Sequence, residues 1–292
     1  MTIQTKLKTA IRFTSQIALI VVCISYFIIG CAPTSERQDQ PGSIDFKSGF
    51  VDVNGIRLYY KEAGTGDPIL FLHGGLGTSD AHFQHQFAAF AKKHKIITLD
   101  TRGHGRSEFD EKKFTFELFA DDTYDFLEAL EIDSVNIVGF SDGGITGTIM
   151  AIQHPKKVKN LVIIGTNTVP DTTAIFAADI EWVKNMDVKQ MADQVKSSFP
   201  EHPSPERLTD FVEKMQSLWL EEPNLTDSDL RKISCPVLII AGDDDTIKIE
   251  HQVYLQRTIP DSDLLIVPNT GHDAHIVRHE IVNKSISELL SR

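Results

Sequence analysis

Three groups of residues in this chain could do acid–base and nucleophilic chemistry together. The first is Ser141, in Gly139-Phe140-Ser141-Asp142-Gly143-Gly144. It follows an apolar run, Ser134–Val138, and precedes a run of helical character, Ile145–His154. A serine between glycines at such a junction sits on a sharp turn, because residues without a Cβ let strand and helix close on each other. Its hydroxyl is then exposed and its backbone pinned. A serine hydroxyl is a weak nucleophile unless a base takes its proton. The second group supplies that base: His272, after the apolar run Leu264–Val267, in Asn269-Thr270-Gly271-His272. The third is an acid to orient the imidazole. Asp243, Asp244 and Asp245 compete for this role, directly after the run Val237–Ala241.

A fourth feature concerns the charge that develops when a serine attacks an acyl carbon. Ile69–Leu72 ends in His73-Gly74-Gly75-Leu76-Gly77. Backbone N–H groups in such a loop can receive an oxyanion.

The elements that must hold these residues alternate along the chain. Phe50–Val53 and Arg57–Ala63 flank Asn54-Gly55, a strong hairpin signal. Ile69–Leu72, Ile96–Leu99, Ser134–Val138 and Leu161–Ile164 are short apolar runs bounded by turns, the pattern of buried parallel strands. Phe83–His94, Phe116–Leu130 and Ile145–His154 have helical spacing between them. Such alternation predicts an α/β fold: a mostly parallel sheet with helices on both faces. It breaks at about 167–232, where helical patterns are punctuated by Pro170, Pro200, Pro203, Pro205 and Pro223 and no strand is expected. The sheet then resumes at Pro236.

These motifs resemble the α/β-hydrolase superfamily, from about Phe50 to the C-terminus. The matching pieces are His73-Gly74-Gly75, Asp100-Thr101-Arg102-Gly103-His104-Gly105-Arg106-Ser107, the Ser141 turn, Gly242-Asp243-Asp244-Asp245 and Gly271-His272. The resemblance implies the order Ser, acid, His along the chain. It implies a catalytic triad of Ser141, Asp245 and His272, the Gly-x-x-Asp spacing selecting Asp245. It further implies an oxyanion hole from the N–H groups of Gly75, with Leu76 next in line for that place, and of Asp142, and a helical cap in the 167–232 insertion, whose Phe176, Trp182, Phe199, Phe211 and Trp219 are candidates for the pocket wall. Within the superfamily, Gly139-Phe140-Ser141-Asp142-Gly143-Gly144-Ile145-Thr146 is similar to the valacyclovir-hydrolase (biphenyl hydrolase-like) serine esterases. In that group the matching Asp holds a substrate ammonium. For Asp142 a plainer role stands beside this one, an acidic residue favoured at a helix start. The expected function is therefore a serine hydrolase that cleaves a small carboxylic ester or related acyl bond, with no cofactor. A C–C bond (meta-cleavage-type) hydrolase or an aminopeptidase fits the same motifs, and a non-catalytic envelope-anchored binding protein is a reading from another class.

Other residues are bounded more simply. Consecutive aspartates on a tight turn rarely converge on one ion, so no metal is expected at Asp243–Asp245. His275 is expected at the surface, and His73 and His104 in structural roles. A formal charge of −12 in 292 residues argues against nucleic acid as a partner. An apolar content of 41% permits one large domain with an insertion.

The N-terminus reads differently from the rest. Lys6, Lys8 and Arg12 precede an apolar run, Ile17–Gly30, too short to span a bilayer and typical of a signal peptide. Its end, Ile28-Ile29-Gly30-Cys31, resembles the lipobox of bacterial lipoproteins. That resemblance implies cleavage before Cys31, a lipid on its thiol and membrane attachment in the bacterial cell envelope, the outer membrane being favoured where one exists because Ala32 is not Asp. Residues 31–49 then form a flexible tether and 50–292 the folded domain. Cys235 is left alone in that domain, in a predicted core strand, so no internal disulfide is expected.

Overall fold

The structure is a computed structural model that describes residues 44–292. The leader, Cys31 and most of the tether lie outside the described residues. Ile44 and Phe46 already pack on the core, and the first strand begins at Lys47, so folded structure starts a few residues ahead of Phe50.

Eight strands form one sheet: β1 (Lys47–Val53), β2 (Ile56–Ala63), β3 (Asp67–Leu72), β4 (His94–Leu99), β5 (Val135–Phe140), β6 (Val158–Ile164), β7 (Val237–Gly242) and β8 (Ser262–Val267). Their order is β1-β2-β4-β3-β5-β6-β7-β8. The first two strands pair antiparallel and β2 meets β4 antiparallel; every other pairing is parallel. The expected α/β class is therefore the observed one. The β1–β2 hairpin closes with Val53 opposite Ile56, leaving a two-residue turn. Asn54 (φ 50°) and Gly55 (φ 84°) both take the left-handed conformation that such a turn demands.

Alternation along the central strands feeds two separate cores. Leu70 and Leu72 of β3 join Ile137 of β5 on the face covered by the helices Phe116–Ala129 and Asp142–Gln153. Ile69 and Phe71 join Val138 and Phe140 on the other face, under Phe83, Phe87, Phe90 and the helix His279–Leu290. With both faces covered, the strands read as continuous apolar runs.

The strand order reverses direction at β3, which has β4 on one side and β5 on the other. In open parallel sheets the crevice beyond the strand ends at such a point is where ligands bind. Both the His73-Gly74-Gly75 loop and Ser141 leave the sheet there. Between β6 and β7 the chain forms the helices Ala177–Lys184, Val188–Ser198, Leu208–Glu221 and Asp227–Leu230. No helix among the described residues is long and apolar enough to cross a membrane.

Candidate active site

Ser141 follows β5 directly with φ 51° and ψ −117°, a conformation that costs a non-glycine residue on the order of 1–3 kcal/mol. The surroundings hold it there. Its N–H donates to Ile164 O at 2.8 Å, and its carbonyl accepts from Gly144 N at 2.9 Å and Ile145 N at 3.1 Å. A Cβ on Gly139 would lie 2.3 Å from Gly143 O, and one on Gly143 would lie 2.0 Å from Leu72 O. The glycines are thus required by close backbone approach between the crossing strand and helix.

His272 meets this turn from the loop after β8. Its Nε2 lies 3.0 Å from Ser141 Oγ, and its Nδ1 lies 2.8 Å from Asp245 Oδ1. Asp245 is nearly fully buried, and the same Oδ1 also accepts from Ile247 N at 3.0 Å. Of the three consecutive aspartates, then, Asp245 is the one that faces the imidazole. Asp243 turns away to accept from Thr270 N at 3.1 Å, fixing the loop that carries His272. Asp244 borders the cavity. Among the described residues no group of three or more His, Cys, Asp or Glu is gathered for a metal ion.

The electrostatics favour a basic imidazole. Burial pushes the His272 pKa down, but the Asp245 carboxylate and its hydrogen bond, then Asp273 and Asp142, outweigh it and hold the pKa above its ordinary value. Burial also pushes Asp245 up, yet the facing His272 keeps its carboxyl below the usual range, so it stays ionised.

The loop after β3 lies against Ser141. A Cβ on Gly74 would fall 3.2 Å from Ser141 Cβ. Gly74 N–H donates to His82 Nδ1 at 3.2 Å, whereas Gly75 N–H donates to no backbone carbonyl among the described residues. The N–H of Asp142 stands at the first helical position and has no acceptor within its helix. His73 is structural: its Nδ1 is 2.8 Å from Gly74 O and its Nε2 accepts from Thr101 N at 3.0 Å.

Above these groups lies a cavity of about 240 Å³. Ser141 and His272 form part of its floor, and Trp182, Phe199 and Trp219, from the helical segment between β6 and β7, part of its wall. Phe211 is core instead, its ring 4.9 Å from that of His104, and Phe176 does not line the cavity. Asp142, Asp179, Glu222, Asp244 and Asp273 line it too; no lysine or arginine does among the described residues. Burial pushes Asp142 up to about 6, against the pull of a hydrogen bond from Trp219 and of His272.

A model of the alpha/beta hydrolase fold family matches residues 67–217, just over half of the chain. The chain belongs to that family. The match takes in the His73 loop and Ser141 and stops short of Asp245 and His272. Serine hydrolase BPHL of Homo sapiens is 28% identical over 252 residues, covering 82% of this chain and 85% of its own. A 2-hydroxy-6-oxo-6-(2'-aminophenyl)hexa-2,4-dienoic acid hydrolase of Metapseudomonas resinovorans is 26% identical over 264 residues, 83% of this chain and 90% of its own. The solved enol-lactonase from Burkholderia xenovorans shares the fold, with a TM-score of 0.67 at 21% identity over 84% of this chain and 100% of that one. The likeness to BPHL agrees with the subgroup named from the Ser141 window.

One sequence expectation for this α/β hydrolase is overturned. His275 is not at the surface but fully buried, its ring 4.4 Å from that of Phe140 and 5.4 Å from that of Phe83. The short helix Ala274–Val277 turns Ala274 and His275 inward, and desolvation pushes the His275 pKa down to about 3, so it packs as a neutral ring. Sequence reasoning also passed over His82, Thr246 and Asp273 at the site. Only Asp273, a carboxylate directly after His272, carried a signal that could have been read.

Proposed function

We propose that this α/β hydrolase is a serine esterase working through an acyl-enzyme. The observation that carries the reading is the relay Ser141 Oγ, His272 Nε2 and Nδ1, Asp245 Oδ1, with steps of 3.0 and 2.8 Å, on the floor of a mainly apolar cavity. Asp245 keeps the proton of the neutral imidazole on Nδ1, so Nε2 can accept. Ser141 Oγ attacks the acyl carbon as its proton passes to Nε2, and the carbonyl electrons move onto oxygen. The N–H groups of Gly75 and Asp142 receive that oxyanion. Collapse expels the alcohol, which takes the proton back from His272. Water repeats the sequence on the acyl-enzyme and releases the acid. No cofactor enters any step.

The charge of the cavity favours an ester over the meta-cleavage alternative. The relative from Metapseudomonas resinovorans acts on a carboxylic acid by name. Here a substrate carboxylate would meet the acidic side chains of Asp142, Glu222 and Asp273 and, among the described residues, no lining lysine or arginine. A neutral or ammonium-bearing ester suits that wall, with Asp142 holding the ammonium. A charge-assisted hydrogen bond contributes about 1.5–3 kcal/mol, so an aminoacyl p-nitrophenyl ester should exceed its des-amino analogue roughly ten- to a hundredfold in kcat/KM. A p-nitrophenyl ester carrying a free carboxylate on its acyl chain should be the poorest. Were the carboxylate ester preferred, the charge argument would fall. Were no ester cleaved at all, the esterase reading would fall with it.

We also propose that the mature protein is held to the cell envelope by lipid on Cys31. The basis is the apolar leader ending in Ile28-Ile29-Gly30-Cys31 and the polar stretch after it. A single acyl chain binds a membrane only marginally, and stable attachment takes more than one. The expected result is that wild type enters the detergent phase on partitioning whereas Cys31→Ser remains aqueous. Aqueous behaviour of both would make the enzyme a soluble secreted one.

A further inference from the structure

The helix Leu208–Glu221 turns Leu208, Phe211, Val212, Met215 and Leu218 to the core, which leaves the next residue, Trp219, facing the cavity. Its indole Nε1–H donates to Asp142 Oδ2 at 2.9 Å. Its ring also lies directly on Gly75. A Cβ at Gly75 would fall 2.4 Å from Trp219 Cζ2 and 2.5 Å from Asp142 Oδ2. A side chain at position 75 is therefore excluded by two groups that bond to each other.

The residues so joined are the two whose N–H groups receive the oxyanion in the esterase reading, on which this inference rests. They come from different places, Gly75 from the loop after β3 and Asp142 from the helix after β5, and one cap side chain touches both. The loop needs such a support. Gly74, Gly75 and Gly77 give it backbone freedom, Leu76 sits at φ 54°, and among the described residues its one N–H tether near Ser141 is Gly74 to His82. We propose that Trp219 is a positioning residue for the oxyanion site: the docked cap clamps Gly75 against Asp142 and so sets the two N–H donors.

Trp219→Phe keeps a ring over Gly75 and removes the donor to Asp142; Trp219→Ala removes both. Loss of an oxyanion donor costs about 10²–10³ in kcat, so donors left in place but loosened should cost less. With p-nitrophenyl acetate, Trp219→Phe should lower kcat about tenfold and Trp219→Ala about a hundredfold, with KM moving less than about threefold. Asp142→Ala keeps its backbone N–H and loses the carboxylate, so adding Trp219→Phe to it should cost less than a further twofold. Residues acting through one contact are non-additive in this way. Multiplicative effects in the double variant, or a rise in KM at unchanged kcat, would overturn the clamp in favour of ordinary substrate contact. If Trp219→Ala does not fold, Trp219→Phe and the double variant still decide. Labelling by a fluorophosphonate separates the two levels. Wild type unlabelled at Ser141 would bring down the esterase reading itself. Wild type labelled, with Trp219→Phe labelled equally fast, would bring down the clamp alone.

Discussion

Ser141→Ala is expected to abolish ester turnover while leaving the fold in place. Removing the nucleophile of such a triad costs on the order of 10⁶ in kcat. Stability should barely change. The backbone bonds that hold the turn, from Ser141 N to Ile164 O and to the Ser141 carbonyl from Gly144 and Ile145, involve no side chain. Alanine also keeps the Cβ, so the strain at φ 51° is neither added nor relieved. The checks are kcat on a p-nitrophenyl ester and the thermal midpoint of both proteins. Turnover above a tenth of wild type in a folded variant would remove Ser141 from the chemistry and leave the turn as a piece of architecture.

The sheet was legible because buried parallel strands are apolar on both faces. Each such run, from Ile69–Leu72 to Leu264–Val267, became a strand whose observed ends lie within about three residues. The α/β class followed from that alternation alone. Less was legible in the C-terminal helices. Ile249–Thr258 buries His251 and Gln252 beside Leu255, so polar residues on its inner face obscure the helical pattern. His279–Leu290 carries a signal, Val282, Ile286 and Leu289 at helical spacing, in a stretch after His272 that holds no motif. At the site, types and spacing picked out Ser141 and His272, but only a resemblance could choose among Asp243, Asp244 and Asp245. The reason is physical: three adjacent carboxylates on one turn point in different directions, and the fold decides which of them meets the imidazole. The bond between Trp219 and Asp142 joins positions 77 apart through the packing of the helix Leu208–Glu221, and nothing local in the sequence foretells it. His275 shows the opposite failure. A polar residue near a loop suggests solvent, whereas the turn after His272 drives it between two phenylalanine rings.

Asp245→Ala should lower kcat by about 10⁴-fold, as loss of the orienting acid does in a triad of this type. Asp245 Oδ1 accepts from His272 Nδ1 at 2.8 Å and from Ile247 N at 3.0 Å, so the carboxylate ties the imidazole to the loop after β7. Without it, the Nδ1 proton is left among the described residues with Thr246 Oγ1, at 3.4 Å, and the ring is free to turn its proton toward Ser141. The imidazolium that forms during attack also loses its counter-charge. A pH profile tests this second effect. In wild type, activity should rise with pH through a His272 pKa above its ordinary ~6.5, since the base must be neutral to accept. Asp245 is the foremost influence raising that pKa, and burial opposes it. Removing the carboxylate should therefore carry the acid limb to lower pH even as the plateau falls. Asp245→Asn retains an oxygen for Ile247 N and nearly the same packing, so it should show the same direction of shift in a protein of near-native stability. A limb that stays put in both variants, or a plateau within tenfold of wild type, would mean that His272 is not oriented by Asp245 during catalysis.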